Sequence, residues 1–196
     1  MQATNMKKYL LLTAFLITTA TGFAQTTWKA DPAHSRLGFR VMHLGINDIP
    51  GDFGKYDVTI TSAKPDFSDA VVELSAHTAS ISTRVDARDN HLRSPDFFNA
   101  EKFPTMTFKN TSIKKIGKNK YALTGPLTMH GVTKTVTVTM QYRGTASNPA
   151  AKTEAAGIQI TGIINRADFS IGTGFPPPMI SNEVTIVADG EFNPKG

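Results

Sequence analysis

The chain contains no cysteine. That excludes disulfides, thiolate metal sites and the cysteine that anchors a lipoprotein behind its leader. Long apolar runs are also missing. Tyr9 to Ile17 amounts to about nine mostly apolar residues, too few to cross a bilayer. No nucleophile elbow, Walker phosphate loop or dinucleotide fingerprint occurs anywhere in the sequence. The five histidines, His34, His43, His77, His91 and His130, include no pair at the helical i, i+4 or strand i, i+2 spacing that chelates a metal. No catalytic residue, metal or cofactor is therefore expected. Lys114, Lys115, Lys118 and Lys120 form a basic cluster around Gly117 and Asn119, but no aromatics interleave them. Nucleic acid is accordingly not an expected partner. The cluster reads as a solvated hairpin turn, with transient contact to lipid head groups as the sharper alternative.

What is present begins with a leader. Met6-Lys7-Lys8 is basic, the apolar run follows, and Gly22-Phe23-Ala24 puts small residues at the third and first positions before a cleavage point. This order predicts a signal peptide over residues 1–24 and one domain over 25–196, delivered to the periplasm or secreted. The net charge of +5 includes Lys7 and Lys8, so the domain carries about +3.

Downstream the sequence runs in steps of two. In Val132 to Tyr142 the even positions Val132, Val136, Val138, Met140 and Tyr142 are apolar, while Thr133, Thr135, Thr137, Thr139 and Gln141 alternate with them. Side chains alternate across a strand, so this is one buried and one wet face. The same parity recurs at Leu37-Phe39-Val41, Tyr56-Val58-Ile60, Val72-Leu74-Ala76, Met106-Phe108, Tyr121-Leu123-Leu127-Met129, Ile158-Ile160-Ile164 and Val184-Ile186-Ala188. The class is all-β, and eight antiparallel strands suit a closed barrel wide enough for side chains or one ligand. Gly125-Pro126 predicts a bulge or edge position. The rhythm breaks between Thr83 and Phe103. Thr83 with Asp86 resembles a capping box and Ser94-Pro95 a second helix start, so helix is expected at Arg84–Leu92 and again at Pro95–Asn99. A helical insert at about residues 84–99 would lie across one barrel end. An outer-membrane barrel would girdle its ends with aromatics, whereas here they are scattered along the strands.

Several motifs together resemble the YceI-like proteins. They are Trp28, Asp31, His34-Ser35, Phe39 and His43, then Ser82-Thr83 and Arg88-Asp89-x-His91-Leu92. Ser94-x-Asp96-Phe97-Phe98, Phe103-Pro104-x-x-x-Phe108, Gly125-x-Leu127-Thr128-x-His130-Gly131-Val132-Thr133 and Asn165-Arg166-x-Asp168-Phe169 complete the set. Two positions depart from the family pattern: Ser170 stands where glycine is common and Asn99 where aspartate is common. The resemblance implies an extended lipocalin-like barrel whose apolar tunnel takes a polyisoprenoid, an isoprenoid quinone or a similar long-chain lipid. It makes Leu37, Phe39, Val41, Leu74, Ala76, Phe108, Leu123, Leu127, Val138 and Met140 the candidate lining. Arg88, His91, Phe97, Phe98 and Arg166 become candidates for the ligand's head or for a lid. Composition alone does not separate a tunnel from a filled core. An enzyme or stress-response factor acting on a lipid or quinone at the barrel mouth, and a ligand-free structural barrel, are the rival readings. Pairing with a second copy is left open.

Overall fold

A computed structural model describes residues 24–149 and 152–195. The predicted leader lies outside these residues except for Ala24. The first strands are β1 (Thr26–Ala30), β2 (Arg36–His43), β3 (Asn47–Phe53), β4 (Tyr56–Ser62) and β5 (Val71–His77). A short β6 (Ile81–Ser82) leads into helix α1 (Asp86–Arg93). Then follow β7 (Thr105–Lys109), β8 (Ser112–Gly117), β9 (Lys120–Met129), β10 (Val132–Asn148), β11 (Thr153–Asn165) and β12 (Ile180–Pro194).

The ring runs β1-β4-β5-β7-β9-β10-β11-β12 and closes when β12 pairs with β1, which makes an eight-stranded antiparallel barrel. Closure leaves no exposed ladder edge in the ring. β12 is long enough to take two partners: Phe192 to Pro194 face β1, and Val184 to Asp189 face β2. β1 and β2 thus act as one interrupted strand, and β2-β3-β6 flares from the ring as an extra flap. Among the described residues no helix is long and apolar enough to cross a membrane.

Period-two patterning accounts for seven of the ring strands and for β2; the eighth ring strand, β1, carries no such pattern and is not among the expected stretches. In β9, Tyr121, Leu123, Gly125, Leu127 and Met129 are buried, and the residues between them are not. On the wet face Thr124 meets Thr137, and Thr128 meets Thr133, each pair 2.8 Å apart across β9 and β10. The predicted bulge at Gly125-Pro126 is not formed, because β9 and β10 stay in register through Gly125↔Val136 and Pro126↔Thr135. Instead the other edge of β9 changes partner there, from β8 to β7. Proline suits that gap because it has no N–H to leave unpaired. A Cβ on Gly125 would stand 2.1 Å from the Lys109 carbonyl oxygen, so only glycine fits.

The barrel is filled at one end. The β4–β5 loop drives Phe67 inward at a φ of 58°, where its ring meets Trp28 at 5.4 Å and Tyr142 at 4.8 Å. Tyr121 seals the plug by donating its hydroxyl to the Asp66 carbonyl at 2.7 Å. The other end is covered by α1 and the segments after it. The helix begins later than the sequence predicts, at Asp86, and the predicted second helical turn at Pro95–Asn99 is a set of hydrogen-bonded turns instead. The capping box is not made either. Asp89, not Asp86, reaches back to accept the Thr83 N–H at 2.7 Å and the Thr83 hydroxyl at 2.5 Å. Arg84 adopts a φ of 63° between them, which turns the chain too sharply for the usual box. Both family departures, Asn99 and Ser170, sit at positive φ (44° and 57°). Asparagine tolerates that conformation, and glycine would relieve it altogether.

Candidate ligand-binding cavity

Between the Phe67 plug and the α1 lid the barrel is hollow, with a cavity of about 440 Å³. Strand β2 contributes Leu37, Phe39 and Val41 to its wall, and β5 contributes Leu74. Phe108 of β7, Leu127 of β9 and Val138 of β10 continue it. These seven border the cavity. The other three candidates point inward as well but do not border it. Leu123 and Met140 are fully buried and do not reach the cavity. They lie in the filled end, where Met140 is the cross-strand partner of Tyr121. Ala76 also lies off the cavity. Its cross-strand partners Tyr56 and Met106 both line the wall, and its methyl is too short to pass them.

Phe39 has room because its cross-strand partner is Gly51, where a Cβ would lie 2.3 Å from the ring. From there an aromatic series climbs to the lid: Phe39 to Phe53 at 5.8 Å, then Phe53 edge-on to Phe98 at 5.7 Å. Phe97 stacks on Phe175 at 5.1 Å, and His91 meets both rings edge-on. Phe175 and Met179, from the proline-rich loop 172–179, also line the cavity. Sequence reasoning missed them because a loop carries no periodicity to read.

The polar residues of the mouth are committed to the fold. Arg88 donates from Nε to the Thr83 hydroxyl at 2.7 Å and from Nη2 to the Thr83 carbonyl at 3.0 Å, which extends the Asp89–Thr83 chain to the cavity wall. His91 Nε2 lies 3.0 Å from Asp96. Arg166 is the clearest departure from expectation. It borders the cavity, but its guanidinium donates to five backbone carbonyls, of Ser181, Ile171, Gly172, Phe175 and Ile180, at 2.6–3.0 Å. No donor is left for a ligand head. Arg166 shapes the mouth loop, and burial lowers its pKa from the ordinary value.

One cluster was not legible in the sequence. Asp31 and His34 lie 2.9 Å apart in the break between β1 and β2, and Glu191 of β12 approaches His34 at 3.9 Å. The hydrogen bond from His34 lowers the Asp31 pKa, and its acceptor Asp31, with Glu191 beyond, raises that of His34. The next residue, Ser35, lines the cavity together with Gly190. The lysine cluster of the β8–β9 hairpin lies at the filled end, the length of β9 away from the lid.

The profile of the YceI-like domain matches residues 28–192. The chain belongs to the YceI-like family. Protein YceI of Salmonella arizonae is 37% identical over 190 residues, covering 94% of this chain and 98% of the relative. The crystal structure of a Campylobacter jejuni YCEI protein superposes with a TM-score of 0.72 at 30% identity, over 97% of this chain and all of the other. A polyisoprenoid binding domain from Saccharophagus degradans shares the fold, with a TM-score of 0.66 at 16% identity over 86% of this chain and 98% of that one. The match thus covers nearly the whole of the described barrel, residues 28–192.

Proposed function

We propose that this YceI-like chain is exported and carries one long-chain apolar ligand in its barrel: a polyisoprenoid, an isoprenoid quinone or a fatty-acid-like lipid. The observation that carries the reading is the cavity of about 440 Å³, whose wall is mostly aliphatic and aromatic, with polar groups near the mouth and at the β1–β2 seam, where Ser35, Arg36 and Asp189 border it. That size and lining suit a small-molecule site. Each methylene moved out of water contributes about 0.8 kcal/mol, so a chain can be held with few polar contacts. The polyisoprenoid-binding role of the Saccharophagus degradans domain supports the same ligand class here. Arg88, His91, Phe97 and Phe98 would cover the ligand's end. Residues 1–24 would direct export to the periplasm or beyond, leaving 25–196 as the carrier.

An enzyme at the mouth would have to draw on Arg88 and His91. Both are tied into hydrogen bonds that hold the lid, and we read them as lid residues. Native mass spectrometry of the purified protein, followed by solvent extraction, tests the carrier reading. A protein heavier than its sequence, returning to sequence mass as an apolar compound is extracted, is the expected result. A protein at sequence mass with nothing extractable, when isolated from its own cell envelope, overturns the reading.

A further inference from the structure

The flap formed by β2 and β3 ends in an apolar tip. His43-Leu44-Gly45-Ile46 make the turn, closed by the Ile46 N–H donating to the His43 carbonyl at 3.2 Å. Leu44 is 51% exposed and Ile46 83%, with Met42 at 36% beside them. Met179, at 46%, joins the tip because its carbonyl accepts the Leu44 N–H at 3.0 Å. Leu44 and Gly45 both have positive φ, 53° and 71°. Asparagine followed by glycine is the pair such hairpin turns favour. A leucine there is costly to the backbone and still leaves half of its surface exposed.

The tip is continuous with the cavity: Val41, His43, Ile49, Met179 and Ile180 line the inside of the same flap and loop. We infer that this tip docks on a lipid bilayer, its apolar side chains inserting among the head groups so that ligand passes between membrane and cavity along the flap. The inference rests on the carrier reading. A second copy is the weaker occupant. A stable interface buries roughly 800 Å² on each partner, and four part-exposed side chains on a convex tip fall well short of that. Charge contributes little at the tip, where outward Arg40 is offset by Asp48 on the neighbouring strand. Docking should therefore be salt-resistant and need no anionic lipid. The lysine hairpin at the opposite end would behave in the contrary way and would turn the mouth away from the membrane.

Co-sedimentation of the purified protein with phosphatidylcholine vesicles, with and without anionic lipid and at low and high salt, tests this. The wild type should sediment with the neutral vesicles at both salt concentrations. Ile46→Ser with Leu44→Asn should weaken that partitioning roughly tenfold, the factor set by about 1.4 kcal/mol. Leu44→Asn suits the left-handed backbone, so melting temperature should hold or rise, which separates lost docking from lost folding. Binding that needs anionic lipid and vanishes in salt overturns the inference, as does wild-type protein that ignores vesicles while still yielding an extractable lipid. A concentration-dependent dimer abolished by the same substitutions, without vesicle binding, overturns it in favour of a second copy. Vesicle binding with nothing extractable supports the tip as a docking surface and counts against the carrier reading alone.

Discussion

The two ends of the barrel are built from the same alternating strands and are filled differently. At one end the β4–β5 loop delivers Phe67 against Trp28 and Tyr142, and Leu123, Met140 and Tyr121 pack fully around that plug. Toward the other end the inward side chains of Leu74, Phe108, Leu127 and Val138 stop at a void. The cross-strand pair Leu123↔Val138 straddles the change: Leu123 is in the filled part and Val138 faces the cavity. A loop insertion, not the strand pattern, therefore decides where the barrel is solid. A filled end gives the closed ring a core, since no disulfide supports it. The hollow end can then dispense with packing and hold something else.

Removing the plug should have the greatest consequence. Phe67→Ala empties a site where the side chain is 1% exposed, and large-to-small aromatic substitutions of that kind typically cost about 3–5 kcal/mol. Denaturant unfolding should register that loss. A loss below about 1 kcal/mol would mean that the cavity extends through both ends and that the plug is only a loop contact.

The straddling pair offers a finer test. Leu123→Trp adds bulk to a packed position and should destabilise by about 1–3 kcal/mol. Val138→Phe adds bulk into the void, should change stability by less than about 1 kcal/mol, and should shorten or displace whatever the cavity holds. Melting curves together with native mass spectrometry separate the two. Equal destabilisation by both variants would mean that Val138 faces a packed interior.

The effect of the Asp31–His34 contact is smaller and lies at the seam between β1 and β2. His34 has its pKa raised above the ordinary 6.5, so its contribution is complete below that value and is lost as pH rises through the raised one. Asp31 has its pKa lowered below 3.8, so its contribution is present above that value and is lost as pH falls through the lowered one. The contact therefore acts in the window between them. Following the His34 ring by NMR should give a titration above the ordinary histidine value that moves back toward it in Asp31→Asn. No movement would leave Glu191 as the source of the shift.

Much of this fold was written in the order of residues. Alternation in Val132–Tyr142 and its counterparts placed seven of the eight ring strands, together with β2 of the flap, and the side of the sheet each residue occupies, because side chains alternate by geometry. The motifs around Trp28, Arg88, His130 and Arg166 carried the family. β1, which closes the ring, and β3, β6 and β8 were less legible, because short or turn-rich strands leave little pattern to count. The lid was only half legible. Helix α1 was expected, but the Thr83–Asp89 bond that starts it depends on a left-handed Arg84 that no capping pattern encodes. For Arg166 the sequence left ligand head and lid both open, and only the backbone that converges on it from the mouth loop turns it inward to the fold. Parity determined that Leu123 and Val138 point inward, and it could do no more. Whether an inward side chain meets another side chain or empty space depends on what crosses the barrel at its level, and here that is a phenylalanine from a distant loop.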